Sequence, residues 1–323
     1  MHSSLSKQHQ TDPLSFVPIL VGPTAVGKTK VSVQLAERLD AEIISADSRQ
    51  IYKYLDIGTA KPDPETLVRV PHHLIDTLEL DEEYTAGRFA SDARRCIEEI
   101  FARERTPLVV GGAGFYIKAL LEGLFEAPAR DEEVRDNLKQ RVRKEGIEPL
   151  YVEFQEIDPE YAEQVHPNDI QKVLRALEIY QVTGEPPSDH HEKEQPALQY
   201  PWRMIGLRRD RQQLYERINR RVDQMISRGL VEEVQALLDR GYTGEENSLQ
   251  TVGYQEILAS LQGEIPLDEA VSEIKKHTRH YAKRQMTWFR NQHDVQWFEV
   301  EQYDTSETLV DSIAAYLFEQ GRA

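Results

Sequence analysis

The sequence predicts an α/β protein: a parallel sheet flanked by helices, interrupted by an all-helical insertion. Three observations predict it. Short β-type apolar runs alternate with helical patterns through the first third of the chain. A complete phosphate-loop pattern falls between the first such run and the first helical stretch. From Asp131 to about Thr183 the pattern is charged and helical, with no strand signal.

The elements follow in order. Phe16 to Val21 is a short apolar run ending in glycine, and the helical pattern after it carries Val31, Leu35 and Leu39 on one face. Ala41 to Ala46 is a second run and stops at Asp47. Pro107 to Val110 is a third, ending in Gly111-Gly112 before a helical stretch from Phe115 to Leu124. In parallel sheets the working residues lie just past the carboxyl ends of strands. Gly22–Thr29, Asp47–Gln50 and Gly111–Gly114 all fall there. The texture changes near Ala127-Pro128. Pro186-Pro187 through Pro196 reads as a polar linker, and Trp202 to Leu207 as a strand returning to the sheet. Amphipathic helices are expected from about Arg211 to Leu238 and from Leu267 to Arg290. The organisation expected is a flexible tail over 1–14, a core of 15–126 plus 196–323, and a helical insertion over 127–195.

With 323 residues, 39% of them hydrophobic, the chain is long enough for a large domain plus an insertion. It has no run of eighteen apolar residues, so no membrane span is expected, and Met1 to Asp12 is polar with no apolar signal core. A single cysteine, Cys96, excludes an internal disulfide and fits a reducing cytoplasm. The net charge of −17 by itself argues against nucleic acid. The charge is unevenly placed, however. Ile274 to His293 holds six Lys/Arg and no acid, and Arg203 to Arg221 holds seven Arg against Asp210 and Glu216, which leaves 26 basic against 54 acidic residues elsewhere. Either segment alone reads as a solvated helix face. Two of them beside a phosphate loop point to a polyanionic substrate.

Gly22-Pro23-Thr24-Ala25-Val26-Gly27-Lys28-Thr29 matches G-x-x-x-x-G-K-[ST] in full, between strand and helix. Such a loop turns its amides inward, adds the positive end of a helix, and offers Lys28 as a mobile charge and the Thr29 hydroxyl for Mg²⁺. The core is therefore expected to be P-loop NTPase-like, binding a diphosphate or a nucleotide. Hydrolysis of a nucleoside triphosphate needs a strand-end acid for the metal. The Leu108–Val110 run ends in Gly-Gly instead, which weakens that reading and leaves incidental ATP binding open.

Asp47-Ser-Arg-Gln-Ile-Tyr52 followed by Asp56-Ile-Gly-Thr-Ala-Lys-Pro62, with the phosphate loop, resembles the tRNA dimethylallyltransferase (isopentenyltransferase) family of bacterial type. Further motifs agree in order: Pro71–Asp76, Gly111–Tyr116, His166–Gln171, Val252–Tyr254 and Ala282–Gln285. The resemblance spans about residues 15–300. It implies transfer of a dimethylallyl group from dimethylallyl diphosphate to the exocyclic N6 amine of adenosine at tRNA position 37, with diphosphate leaving. It also implies tRNA and dimethylallyl diphosphate as partners. No membrane partner is expected, and the chain is expected to act as a monomer in the cytoplasm.

The resemblance carries roles to individual residues. Asp47 matches the family's general base, Thr24 a contact to the bridging oxygen, and Arg221 the catalytic arginine. Asp47, Ser48, Arg49 and Gln50 read the adenosine. Ala113 and Arg135 line the tRNA path, and Gln171, Lys172, Val173, Leu174 and Arg175 contact it. Ala113 stands where the family commonly has Thr, so a hydroxyl contact is lost there. Arg217 and Arg221 lie four apart on one helix face, while Arg220 is expected to point elsewhere. Tyr281, Met286, Trp288 and Phe289 are expected in the core. His72 and His73 have no third ligand at suitable spacing and are expected to serve local structure. Two other classes remain: a small-molecule or nucleotide kinase, sharing the loop, Mg²⁺ and a strand-end Asp, and a non-catalytic RNA-binding P-loop protein.

Overall fold

The structure, a computed structural model, describes residues 14–124, 131–192, 196–291 and 294–321. It divides into two compact units, 1–120 with 198–323 and 121–197. The first is built on a six-stranded sheet of β1 (Val17–Val21), β2 (Ala41–Ala46), β3 (His72–His73), β4 (Thr106–Gly111), β5 (Trp202–Arg208) and β6 (Val295–Glu299). The strand order is β3-β2-β4-β1-β5-β6, and every pair is parallel. β1 and β2 are buried along their whole length, as strands covered on both faces are, and β2 buries Glu42 only in ion pairs with Arg103 and Arg105 and in contact with His73. β3 and β6, absent from the sequence reading, are the two edges. β3 is two residues long and too short to show a period.

The tail expected over 1–14 lies outside the described residues except for Leu14. That residue is buried, and its amide donates to Thr106 Oγ1 at 3.2 Å. Leu14 therefore belongs to the core: the exposed Ser15 separates it from the apolar run that starts at Phe16, so the sequence pattern does not announce it.

The helices of the first unit are α1 (Lys28–Leu39), α2 (Pro64–Arg69), α3 (Ala86–Ala102) and α4 (Gly114–Glu122), the last of which runs across the division. After the second unit come α9 (Arg211–Ser227), α10 (Leu230–Asp239), α11 (Tyr254–Leu261), α12 (Leu267–Arg290) and α13 (Ser306–Gln320). The single helix expected over 211–238 is two. Gly229, at φ 100°, takes a left-handed backbone that an L side chain resists, and a new helix axis begins there. The second unit holds α5 (Glu132–Glu145), α6 (Glu148–Ile157), α7 (Pro159–Glu163) and α8 (Ile170–Thr183) around Leu138, Leu150, Phe154, Val173 and Leu177. The stretch read as a linker carries a 3-10 turn over Pro187–Glu192.

Register brings the three central strands to one finish line. Gly111 pairs with Val21 on one side and Ala46 on the other, so the loops after β1, β2 and β4 leave the sheet side by side. Gly111 fits because it has no side chain: a Cβ there would lie 2.0 Å from the Ala46 carbonyl oxygen. Backbone cannot yield as a flexible side chain would. Gly111→Ala is expected to cost at least about 3 kcal/mol, the upper range for overpacking, read as a fall in the denaturation midpoint. A midpoint unchanged within error would contradict this packing.

Candidate active site

One cavity of about 730 Å³ opens at that finish line. Thr24, Lys28 and Thr29 line it from the phosphate loop, Asp47–Gln50 from the end of β2, Gly112 from the end of β4, and Arg217, Arg220 and Arg221 from α9. Most of the core residues expected to act together are thus brought together. Ala113 sits one residue past Gly112, and its amide donates to the Ala46 carbonyl at 3.2 Å. Arg135 lies on α5 and Gln171–Arg175 on α8, in the helical unit.

The phosphate loop is braced from several sides. Lys28 Nζ donates to the carbonyls of Gly22 (2.8 Å) and Pro23 (2.9 Å). Burial pushes the Lys28 ammonium down to about 8, with Asp47 opposing the shift and Arg221 adding to it. Arg217 Nε donates to the Ala25 carbonyl at 3.0 Å, and Arg209 Nε to that of Val26 at 3.0 Å. Thr24 lends its amide to Gln285 Oε1 at 2.8 Å, while Gln285 Nε2 donates to the Gly112 carbonyl at 3.0 Å. Gln285, buried on α12, therefore ties the β1 loop to the β4 loop. It was visible as part of a motif, but its role needed the fold: a lone Gln in an amphipathic helix carries no sign of which backbone it will satisfy.

Asp47 divides its work. Oδ1 accepts the amides of Arg49 (2.9 Å) and Gln50 (3.3 Å), closing the turn after β2, and leaves Oδ2 for the cavity. Gln50 Nε2 donates inward to the carbonyls of Thr59 (3.2 Å) and Ala60 (3.4 Å). Arg49 Nη1 donates to the Asn247 carbonyl at 2.6 Å. Arg221 is half-buried, and its Nη2 donates to the Thr59 carbonyl at 3.4 Å. Burial lowers the Arg221 proton affinity and Asp47 opposes that shift, so the guanidinium and the carboxylate share one electrostatic environment.

Three expectations change. Arg220 lines the same cavity, although it is fully on the exposed side of α9, because the cavity mouth is wide enough to take residues about 100° apart on the helix. Tyr281 is 37% exposed and lines the cavity, not the core. It lies one helical turn before Gln285, so it shares that residue's face, and desolvation of its phenol within the cavity, with Asp47 nearby, pushes that group up to about 12. Val173 and Leu174 are buried in the helical unit. Helical spacing turns those two inward and leaves Gln171 and Lys172 exposed. Arg175 Nη1 lies 3.1 Å from Glu178. Phe289 is buried as expected. His72 contacts the Val70 carbonyl (2.7 Å) and His73 contacts Glu42 (2.6 Å), both local structural uses. Among the described residues no group of three His, Cys, Asp or Glu is arranged to hold a metal, and no helix is long and apolar enough to cross a membrane.

The family model described as IPP transferase matches residues 50–292. The tRNA dimethylallyltransferase of Acetivibrio thermocellus is 45% identical over 303 residues, covering 93% of this chain and 97% of the relative. The tRNA dimethylallyltransferase 2 of Geotalea uraniireducens is 48% identical, covering 87% and 91%. Among solved structures, the tRNA isopentenylpyrophosphate transferase of Bacillus halodurans superposes with a TM-score of 0.70 at 41% identity, covering 95% of this chain and 98% of that one. A eukaryotic dimethylallyltransferase acting on tRNA reaches 0.75 at 28% identity, covering 95% and 80%. The phosphate loop, the strand-end Asp47 and the α9 arginines thus sit in a chain that belongs to the IPP transferase family.

Proposed function

We propose that the chain transfers the dimethylallyl group of dimethylallyl diphosphate to the N6 amine of adenosine at tRNA position 37 and releases diphosphate. The observation that carries this is the convergence of Thr24, Lys28, Asp47 and Arg221 on one cavity, in a chain nearly half identical to named tRNA dimethylallyltransferases. An adenine amine is a poor nucleophile because its lone pair is delocalised into the ring. It needs alignment with the allylic carbon and an acceptor for its proton. Asp47 Oδ2 is the acceptor in this reading: the N–C bond forms, the C–O bond to diphosphate breaks, and the amine proton passes to the carboxylate. The leaving diphosphate gains charge as it departs. Lys28, Arg221, the loop amides and the Thr24 hydroxyl face that charge.

The residues fit a Mg²⁺ ion that travels with the diphosphate. Thr29 is exposed in the cavity, and its hydroxyl is engaged by no other described residue. Mg²⁺ commonly takes only one or two protein oxygens and fills its remaining positions from phosphates and water. When bound it would neutralise charge on the diphosphate oxygens.

The tRNA faces in this proposal are Asp47–Gln50 and Ala113 in the core and Arg135, Gln171, Lys172 and Arg175 in the helical unit. Val173 and Leu174 serve only as the support of their helix. A monomer working in the cytoplasm is part of the same reading. The test is incubation with tRNA and labelled dimethylallyl diphosphate in the absence of ATP. Label in RNA, found on digestion as an N6-substituted adenosine, is the expected result. Label left in the small-molecule fraction, with phosphoryl transfer appearing on addition of ATP, would favour the kinase reading instead.

A further inference from the structure

We propose that Glu233 is a positioning residue: its carboxylate shapes the Asp56–Ala60 loop so that the Thr59 carbonyl holds Arg221 and Gln50 in place. What Arg221 does there rests on the function proposed above.

Glu233 lies on α10, on the helix axis that the break at Gly229 creates. Its Oε2 accepts the amides of Asp56 (3.2 Å) and Ile57 (2.7 Å), and its Oε1 the amide of Gly58 (3.1 Å) and the hydroxyl of Tyr254 (2.6 Å). Three consecutive backbone amides folded around one carboxylate form an anion-binding concavity, and bonds to an ionised acceptor are the stronger kind. Tyr254 is fully buried. A Cβ at residue 58 would come within 2.4 Å of its ring, so Gly58 is the residue that lets ring and loop meet. Burial and the Glu233 charge push the Tyr254 phenol well above its ordinary range, so it stays a donor to the carboxylate.

The loop then passes this order on. Thr59 Oγ1 donates to the Leu55 carbonyl at 2.5 Å, fixing the peptide whose own carbonyl accepts Gln50 Nε2 at 3.2 Å and Arg221 Nη2 at 3.4 Å. That is the one hydrogen bond Arg221 makes to a described residue. Glu233 itself does not line the cavity. The spacing of Asp56-Ile-Gly-Thr thereby acquires a reason: three amides for a carboxylate, a glycine for a ring, and a carbonyl for an arginine. Without the carboxylate the three amides turn to water, and Arg221 loses its anchor.

The experiment is a double-mutant cycle on the full chain, read by calorimetric binding of inorganic pyrophosphate to wild type, Glu233→Ala, Arg221→Ala and the double variant. Glu233→Ala is expected to weaken binding by about tenfold, and the double variant to bind no more than about twofold worse than Arg221→Ala alone, since residues in one network are not additive. Tyr254→Phe keeps the ring and removes one donor, and is expected to give a smaller loss with the same coupling. It serves as the cycle partner if Glu233→Ala does not fold. A role in general stability would lower the melting temperature and give additive losses. Additive losses, or unchanged pyrophosphate affinity in a folded Glu233 variant, overturn the proposal. In the turnover assay the loss is expected in kcat, with KM for tRNA kept. Because pyrophosphate binding needs neither tRNA nor prenyl transfer, a chain that shows the coupling but never labels RNA would refute the proposed reaction and leave the role of Glu233 standing.

Discussion

Asp47→Asn is expected to lower turnover by at least about a hundredfold, the usual scale of a general-base contribution, while tRNA affinity stays within about threefold. Asparagine is the sharper substitution because Asp47 has two tasks. Oδ1 caps the turn after β2 through the amides of Arg49 and Gln50, and an amide oxygen can do that as well. In the proposed reaction Oδ2 is the proton acceptor, and an amide cannot take that place. Alanine removes both, so it also frees Gln50 from the geometry that joins it to Thr59, and a loss in that variant would mix two causes. A base that acts only as the N–C bond forms stabilises the transition state and not the bound tRNA, so the loss belongs in kcat. The hundredfold corresponds to about 2.7 kcal/mol. Single-turnover rates and tRNA binding measured on the same protein check it. A variant that binds tRNA normally and turns over within about threefold of wild type would end the general-base assignment.

Much of this site was legible because its chemistry sits at strand ends. The β1, β2 and β4 runs announce themselves as short apolar stretches, and the residues following them are those that reach the cavity. What was not legible depends on pairs far apart in the chain. Gln285 bridges to Thr24 and Gly112 across 261 and 173 residues, and no local period reports such a partner. The break at Gly229 is a backbone event inside an otherwise continuous amphipathic pattern, and it decides where Glu233 points. Tyr281 misled because an aromatic in a helical apolar stripe has the same periodicity whether it faces the core or a cavity beside the core. Val173 and Leu174 misled in the opposite direction. A contact run carried over as five consecutive residues cannot all face outward on a helix of 3.6 residues per turn, and the two apolar members are the ones turned inward.

Arg221→Ala is expected to hurt catalysis far more than Arg220→Ala, although the two are neighbours on one helix and line the same cavity. Their difference is burial and partnership. Arg221 is half-buried, hydrogen-bonded to the Thr59 carbonyl, and set in the shared field of Asp47 and Lys28. Water screens it little, and it need not reorganise to meet charge that develops on a leaving diphosphate. Arg220 is exposed, where salt and water attenuate its field. Arg217, one turn away, is already committed to the Ala25 carbonyl and supports the loop more than it replaces its neighbour. The expected loss for Arg221→Ala is about 2–4 kcal/mol of transition-state stabilisation, the scale of deleting one oxyanion donor. Arg221→Lys is expected to recover little, since a point charge cannot reproduce a planar fork to two phosphate oxygens. For Arg220→Ala the expected signature is weaker tRNA binding at low salt and a shallower salt dependence, with kcat kept. Steady-state kinetics of both alanine variants at two salt concentrations separate the cases. Equal losses in kcat/KM that added salt erases alike would mean that α9 presents a general basic surface to tRNA, with no arginine dedicated to the diphosphate.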